Sequence, residues 1–198
     1  MSVDVVKLKE LKAPPGMPFR MQKLGHVVLN VTNLERSLKF YTEVLGFRIS
    51  DIYPETMVPG GMAFLRCNAD HHCLALVGSA KAASQRTEMH HAAFEVASLD
   101  EVLRAREHLK HLGVPIVVDG RRRAGCQIAV EFLDPDGHHL EIYWGVDLVG
   151  SDGHVRPPSE WREHKSIEAA IDDPPPGQDT TLADPSLRKP NKGDRTDP

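Results

Sequence analysis

Two short stretches of the chain alternate apolar and polar positions with a period of two, which is typical of half-buried β-strands. They cover residues 24–31 and 90–96, and each carries a histidine near its start, His26 in the first and His91 in the second. The two histidines lie 65 residues apart. Each stretch is followed by a polar segment and then by apolar residues at helical spacing, so the sequence predicts a strand and a helix twice.

The segments after the two strands repeat the same order of elements. Capping boxes at 32–35 and 98–101 predict helix starts, and Gly46 and Gly113 predict helix ends that lie 67 residues apart. Three extended segments follow each helix: 47–53, 62–66 and 73–77 in the first unit, and 114–118, 128–133 and 139–144 in the second. We therefore predict an α+β fold of two βαβββ modules, since an internal repeat of this length is stronger evidence than any single motif.

The domain organisation follows from this repeat. We predict an N-terminal arm, a central domain of two modules, and an irregular, proline-rich C-terminal tail with one short helix. Eight of the fifteen prolines lie in the tail, between Pro157 and Pro198. The predicted bounds are 1–22 for the arm, 23–148 for the domain (modules 23–80 and 88–148), 149–198 for the tail and 159–171 for its helix.

Composition narrows the class of protein. The 198 residues carry a formal net charge of −4, which argues against a nucleic-acid-binding protein. The first residues lack the apolar run of a signal peptide, and no stretch is long enough to span a membrane. The three cysteines, Cys67, Cys73 and Cys126, have no CxxC spacing, so we expect neither a disulfide framework nor a cysteine-based zinc site. The simplest expectation is a cytoplasmic protein.

The alternation also predicts which face of the sheet each candidate ligand takes. His91 has the opposite parity to Phe94 and Val96, which should face the helix, so His91 faces the concave side. The same argument places His26 on the concave side of the first strand and Glu141 on that of the last. Two histidines and one carboxylate are the ligand set of a divalent metal site with open coordination positions.

The repeat predicts one metal per chain. The last hairpins of the two units are offset by 66 residues, which places Ala75 of the first unit where the second has Glu141. The first unit therefore lacks the carboxylate ligand.

Three segments carry a resemblance to a known family: GHVVLNVTNLERSLKFYTEVLGF, HHAAFEV and FLDPDGHHLEIYW. Over residues 22–148 the chain resembles the vicinal oxygen chelate superfamily, which includes glyoxalase I, fosfomycin-resistance proteins, bleomycin-resistance proteins and type I extradiol dioxygenases. The resemblance implies that the paired modules form an open, barrel-like sheet around a metal. It also implies that His26, His91 and Glu141 are the metal ligands.

Within the superfamily, the His–His–Glu set looks most like that of extradiol dioxygenases. This implies Fe(II), a catechol-like small molecule and O2 as partners, with Mn, Ni, Co or Zn as alternative metals. These enzymes also carry a histidine just before a strand of the first module, and His72 matches that position. By this resemblance, His72 is expected to act as an acid/base during the reaction.

Two positions depart from the dioxygenase pattern. Glu131 stands where those enzymes carry a tyrosine, and Arg122 lies near the position of a second pocket histidine. These residues suit a glyoxalase- or epimerase-like lyase or isomerase, with Glu131 as base and Arg122 binding an anion. The structural alternatives are a salt bridge from Glu131 to a nearby arginine and a solvated position for Arg122.

A third class is a non-catalytic small-molecule binding protein of the bleomycin-resistance kind. That class usually lacks the metal triad, so an intact set of His26, His91 and Glu141 counts against it. Exposed sheet edges and the segment around Trp161 make a homodimer the expected assembly.

Overall fold

The computed structural model describes residues 3–12, 15, 23–87, 89–149 and 153–188. Its helices and strands, in chain order, are α1 (Val5–Lys9), β1 (Val27–Asn30), α2 (Leu34–Lys39), β2 (Arg48–Tyr53), β3 (Met62–Arg66), β4 (Leu74–Val77), β5 (Ala92–Glu95), α3 (Leu99–His111), β6 (Ile116–Arg121), β7 (Ile128–Leu133), β8 (His139–Trp144) and α4 (Ile167–Asp172). A π-helical segment, Phe40–Val44, continues α2, and 3-10 turns cover Pro158–Glu160 and Pro185–Leu187.

The strands form two four-stranded sheets with the same topology, β1-β4-β3-β2 and β5-β8-β7-β6. In each sheet the first strand pairs in parallel with the last, Val27 opposite Leu74 and Ala92 opposite Leu140, and the remaining pairs are antiparallel. The predicted α+β fold of two βαβββ modules is confirmed.

Alternation along the strands sorts side chains as predicted. Leu29, Val31 and Leu140 are buried, while Val28 is exposed. The buried residues of both modules form one hydrophobic core, and aromatic rings join its two halves. Phe47 of the first module contacts Phe94 of the second edge to face, with ring centroids 5.3 Å apart.

One of the two predicted capping boxes is correct. Ser98 caps α3, and the side chain of Glu101 accepts hydrogen bonds from the backbone in return. The prediction for α2 is wrong, because its N-cap is Asn33, whose side chain accepts from the Arg36 backbone N–H at 2.9 Å. The hydroxyl of Thr32 instead donates to a carboxylate of the second module, Asp136.

The turn between β7 and β8 docks on α2 and ties the modules together. Asp136, whose side chain is 1% exposed, accepts from the Thr32 backbone N–H at 2.9 Å and from Ser37 Oγ at 2.7 Å. Tyr41 donates its hydroxyl proton to Asp134 Oδ2 at 2.9 Å. Polar groups buried where the modules meet are thus hydrogen-bonded, as burial requires.

The predicted helix at 159–171 is wrong in its start. The structure has a 3-10 turn at Pro158–Glu160, and α4 begins only at Ile167, after the N-cap Ser166. Between them, the backbone of His164 exchanges two hydrogen bonds with that of Arg121, at 2.9 and 3.1 Å. This pairing with the end of β6 holds the segment extended, and the local sequence does not reveal it.

Residues 153–188, called the C-terminal strap below, lie against the second module. The Arg121 side chain is 1% exposed, and its guanidinium donates to the Asp173 carbonyl and to Gln178 Oε1, each at 2.7 Å. Asp100 at the start of α3 accepts from the backbone of Ala183 and Asp184. The strap is therefore irregular in backbone, as predicted, but fixed by buried contacts.

The rest of the predicted arm and tail is described only in part. In the arm, α1 has no buried residue, and 13–14 and 16–22 lie outside the described residues, as do 189–198 of the tail. Among the helices of the described chain, none has the length and apolar content needed to cross a membrane.

Candidate metal centre

Two of the three predicted metal ligands, His91 and Glu141, meet where β5 pairs with β8. His91 immediately precedes β5, and Glu141 lies opposite Ala93 in the parallel pairing of these two strands. His91 Nε2 and Glu141 Oε2 are 3.1 Å apart. The Glu141 side chain is 2% exposed, and that of His91 is 36% exposed, so the imidazole edge faces solvent while the carboxylate is buried.

The surroundings of Glu141 disfavour its negatively charged form. Burial raises the pKa of Glu141, the nearby His91 lowers it, and the Glu131 carboxylate raises it again, so that the pKa lies above its ordinary value. Its Oε1 atom is buried and makes no hydrogen bond of good geometry, although the nearby Gln127 side chain also lowers the pKa of this carboxyl group. A buried carboxylate with an open oxygen beside an imidazole fits a cation, because a cation would compensate both the charge and the missing bond.

Glu131 lies directly across from Glu141 on β7 and is also buried. Arg122 Nε donates to Glu131 Oε1 at 2.7 Å, and Arg122 NH2 is 2.5 Å from the same oxygen. The two candidate catalytic residues that depart from the dioxygenase pattern therefore form an ion pair with each other. This is the salt bridge that the sequence offered as the structural alternative for Glu131.

His139 also lies beside Glu131, although the sequence did not single it out as a functional residue. Its Nε2 atom lies 2.8 Å from Glu131 Oε2, so the imidazole and the carboxylate are in direct contact. Burial lowers the pKa of His139, which favours the neutral ring. The signal was available, because His139 shares the parity of Glu141 on β8.

The other two histidines of the predicted site meet on the first module. His26 immediately precedes β1, and its ring centroid lies 4.7 Å from that of His72. His72 lies just before β4 and also contacts Phe64, with ring centroids 5.0 Å apart. Its Nδ1 atom is 3.1 Å from His71 Nδ1.

The structure thus brings the predicted residues together in two pairs, His91 with Glu141 and His26 with His72. Over the described ranges, no group of three or more His, Cys, Asp or Glu side chains is arranged to hold a metal ion. His91 and Glu141 fit a divalent cation by the open buried oxygen of Glu141, and His26 as the third ligand stays a prediction.

A cavity of about 310 Å³ lies beside the cluster. It is bordered by Asn30 of β1, by Arg86 and Met89 of the segment between the modules, and by His139. A small molecule in this cavity would contact the imidazole that adjoins Glu131.

A protein-family model matches more than half of the chain. The model described as the Glyoxalase/Bleomycin resistance protein/Dioxygenase superfamily matches residues 23–142. The match covers both modules, including the segments that carry His26, His91 and Glu141.

Three curated relatives are named as dioxygenases. Biphenyl-2,3-diol 1,2-dioxygenase of Metapseudomonas furukawaii is 34% identical over 154 residues, which cover 74% of this chain and 48% of the relative. An iron-dependent extradiol dioxygenase of Rhodococcus jostii is 45% identical over 65 residues (28% of this chain, 22% of the relative). A manganese-dependent 2,3-dihydroxybiphenyl 1,2-dioxygenase of Geobacillus genomosp. 3 is 28% identical over 134 residues (66% and 39%). The chain spans about half the length of the first curated relatives it matches.

Solved structures agree on the fold. A glyoxylase/bleomycin resistance protein/dioxygenase domain from Frankia sp. EAN1pec superposes with a TM-score of 0.54 at 21% identity, covering 64% of this chain and 99% of that one. At this identity the likeness concerns the fold alone.

Proposed function

Because the chain belongs to the glyoxalase/bleomycin resistance protein/dioxygenase superfamily, we propose that it is a metal-dependent extradiol-type dioxygenase that cleaves a catechol-like small molecule with O2. Relatives named as dioxygenases of aromatic diols, at 34% identity over 74% of the chain, support this choice within the superfamily. The observation that carries the proposal is the buried Glu141 carboxylate, which contacts His91 and keeps one oxygen open.

The proposed metal ligands are His91, Glu141 and His26, and Fe(II) is the proposed metal. The names of the relatives include an iron-dependent and a manganese-dependent enzyme, so manganese is the first alternative, before nickel, cobalt and zinc. When bound, such a metal supplies open coordination positions for the two oxygens of a diol and for O2.

His72 is the proposed acid/base. Its Nδ1 atom faces His71, which leaves Nε2 as the nitrogen that can take a proton from a substrate hydroxyl and return it later. The ring lies against His26, so this proton transfer would take place next to a proposed metal ligand.

The ion pair of Arg122 with Glu131 favours the dioxygenase over a lyase. A base must be free to accept a proton, whereas the Arg122 guanidinium binds Glu131 and occupies its Oε1 atom. In the proposed dioxygenase, the Arg122–Glu131 ion pair has a structural role. It forms the side of the site next to Glu141 and keeps water away from that carboxylate.

A lyase or isomerase of the glyoxalase or epimerase kind is the second candidate. It is favoured by the position of Glu131 directly across from Glu141, with its Oε2 atom buried and without a hydrogen bond. Its metal would be nickel, cobalt, manganese or zinc, and Glu131 would move the proton.

Elemental analysis of anaerobically purified protein tests the proposal, with His91→Ala as the variant. His111→Ala is the matched control, because His111 is exposed at the end of α3. We expect one equivalent of iron in the wild type and the control, a loss of at least tenfold in His91→Ala, and ring cleavage of catechols seen as yellow products.

Other outcomes contradict the proposal in distinguishable ways. Stoichiometric zinc, nickel or cobalt without cleavage of any catechol would favour the lyase or isomerase. Protein that takes up no metal would leave the non-catalytic binding protein as the remaining class.

A further inference from the structure

The hairpin that joins β3 to β4 holds two thiols at its mouth. Cys67 directly follows β3 and is exposed, and Cys73 directly precedes β4 and is half-buried. Their Sγ atoms are 3.4 Å apart, so the two sulfurs are in direct contact.

The backbone explains why the sulfurs meet. Leu65 and Leu74 are paired across the two strands, and the Cys73 backbone N–H donates to the Leu65 carbonyl at 3.0 Å. Cys67 and Cys73 therefore lie on either side of the hairpin loop, directly beyond the ends of β3 and β4. A disulfide requires that its two cysteines lie close together, and the contact between the two Sγ atoms shows that the hairpin already brings them together.

We propose that Cys67 and Cys73 form a reversible dithiol–disulfide site that reacts with low-molecular-weight disulfides. The Cys67 thiolate attacks one sulfur of the small disulfide, forms a mixed disulfide and releases one small thiol. The Cys73 thiolate then attacks the sulfur of Cys67 and releases the second small thiol. Two protein thiols are oxidised, one small disulfide is reduced to two thiols, and the two protons that the protein thiols lose end on the two released small thiols.

The order of the two steps follows from exposure. Cys67 is exposed and can meet a molecule from solution, whereas Cys73 is partly covered and lies in contact with its partner. The third cysteine, Cys126, is fully buried, and its thiol donates to the Arg123 carbonyl at 3.2 Å, so it does not take part.

The disulfide would close a ring that contains His71 and His72. In the open form, His71 Nε2 contacts Asp51 Oδ2 at 2.9 Å, and the His72 ring lies against His26 and Phe64. A bond between the two ends of residues 67–73 restricts the backbone of this segment. Oxidation therefore fixes the loop that carries the proposed acid/base, but the disulfide itself does not depend on the proposed function.

Incubation of the full chain with glutathione disulfide, followed by intact-mass and peptide-mapping mass spectrometry, tests the site. We expect the wild type to lose two hydrogen masses, to retain no glutathione and to recover both thiols with dithiothreitol. Cys73→Ser should stop at the mixed disulfide and gain one glutathione at Cys67, and Cys67→Ser should not react. Both positions are outside the fully buried core, so the variants should fold.

Three results would overturn the proposal. In the first, the wild type stops at the mixed disulfide, as Cys73→Ser does. In the second, a non-reducing gel shows a disulfide between two chains. In the third, glutathione is attached at Cys126. Amide hydrogen exchange tests the effect on the loop: we expect exchange in residues 67–73 to slow by about tenfold on oxidation. Equal exchange in the oxidised and reduced proteins would show that the disulfide does not fix the loop.

Discussion

Two buried glutamates, Glu131 and Glu141, lie side by side in the candidate metal centre. Glu131 and Glu141 are cross-strand partners, and both are buried, but their surroundings differ. Each has one oxygen without a hydrogen bond, but Glu131 forms an ion pair with the Arg122 guanidinium, whereas Glu141 contacts the His91 imidazole. Of two adjacent buried carboxylates, one is therefore compensated by the protein itself and the other is suited to a cation.

Glu131→Gln separates the two candidate reactions. The amide keeps the shape of the side chain but cannot act as a base, so a lyase or isomerase should lose about a hundredfold or more in kcat. A ring-cleaving enzyme should stay within about tenfold of the wild type, since the variant retains His91, Glu141 and His72. Steady-state kinetics on catechols and on a glyoxalase-type substrate measure the difference.

Glu35→Gln is the control, because Glu35 is exposed on α2 and pairs only with Lys39 of the same helix. A hundredfold loss of ring cleavage in Glu131→Gln would contradict the structural role proposed for Glu131.

At the residue level, parity along the strands predicted that His91 and Glu141 share one side of the sheet, and the two side chains are in contact, because alternation is a local property. Parity could also have found His139. It could not predict that Arg122 pairs with Glu131, since the loop between β6 and β7 determines where an arginine points. The meeting of His26 with His72 follows from the parallel pairing of β1 with β4.

At the level of elements, the Thr32 hydroxyl has two possible roles at the start of α2. It can cap the helix, or it can bind Asp136 of the second module. Thr32 and Asn33 are both good N-cap residues. Asp136 of the second module takes the Thr32 hydroxyl, so Asn33 caps the helix. The capping box of α3 was predictable, because its hydrogen bonds are local and join Ser98 to Glu101.

Asp136 should make stability depend on pH. Burial raises its pKa, but hydrogen bonds from Thr32, Ser37 and Arg36 outweigh this, and the pKa lies below its ordinary value. A carboxylate with a depressed folded pKa contributes stability above the unfolded pKa of about 4, and this contribution is lost as the pH falls through the folded value.

Asp136→Asn should therefore lower the free energy of unfolding by about 3 kcal/mol at neutral pH. The difference between variant and wild type should shrink steadily below about pH 4. Urea unfolding across this range measures it, with Glu55→Gln, at an exposed position, as the control. A difference that is independent of pH would contradict the assignment.

At the level of the whole molecule, the two modules are alike in strand order but differ in what covers them. The C-terminal strap lies along β6 of the second module, and α4 buries Ile167 and Ala170 there. The internal repeat predicted the likeness of the modules. It could not predict the strap, because proline-rich sequence gives no periodic signal and the contacts of the strap come from single side chains such as Gln178.

Gln178 is the residue whose loss should release the strap. Its side chain accepts from Arg121 and donates to the carbonyls of Cys126 and Gly145, at 3.1 and 2.8 Å. Gln178→Ala should lower the free energy of unfolding by about 2–3 kcal/mol and speed tryptic cleavage in the strap. The control Gln85→Ala, at an exposed position, should change neither. Equal cleavage rates in the two variants would show that other contacts hold the strap.

The docking of Asp136 on α2 also has a consequence during synthesis. Thr32 and Asp136 are 104 residues apart, so at about 5–20 residues per second the partner of Thr32 is translated roughly 5–20 s later. Until then, the nascent first module carries Ser37 and Tyr41 without the carboxylates that satisfy them. A ribosome-bound chain that ends before the last hairpin should therefore remain a client of chaperones, and completion of that hairpin should release it.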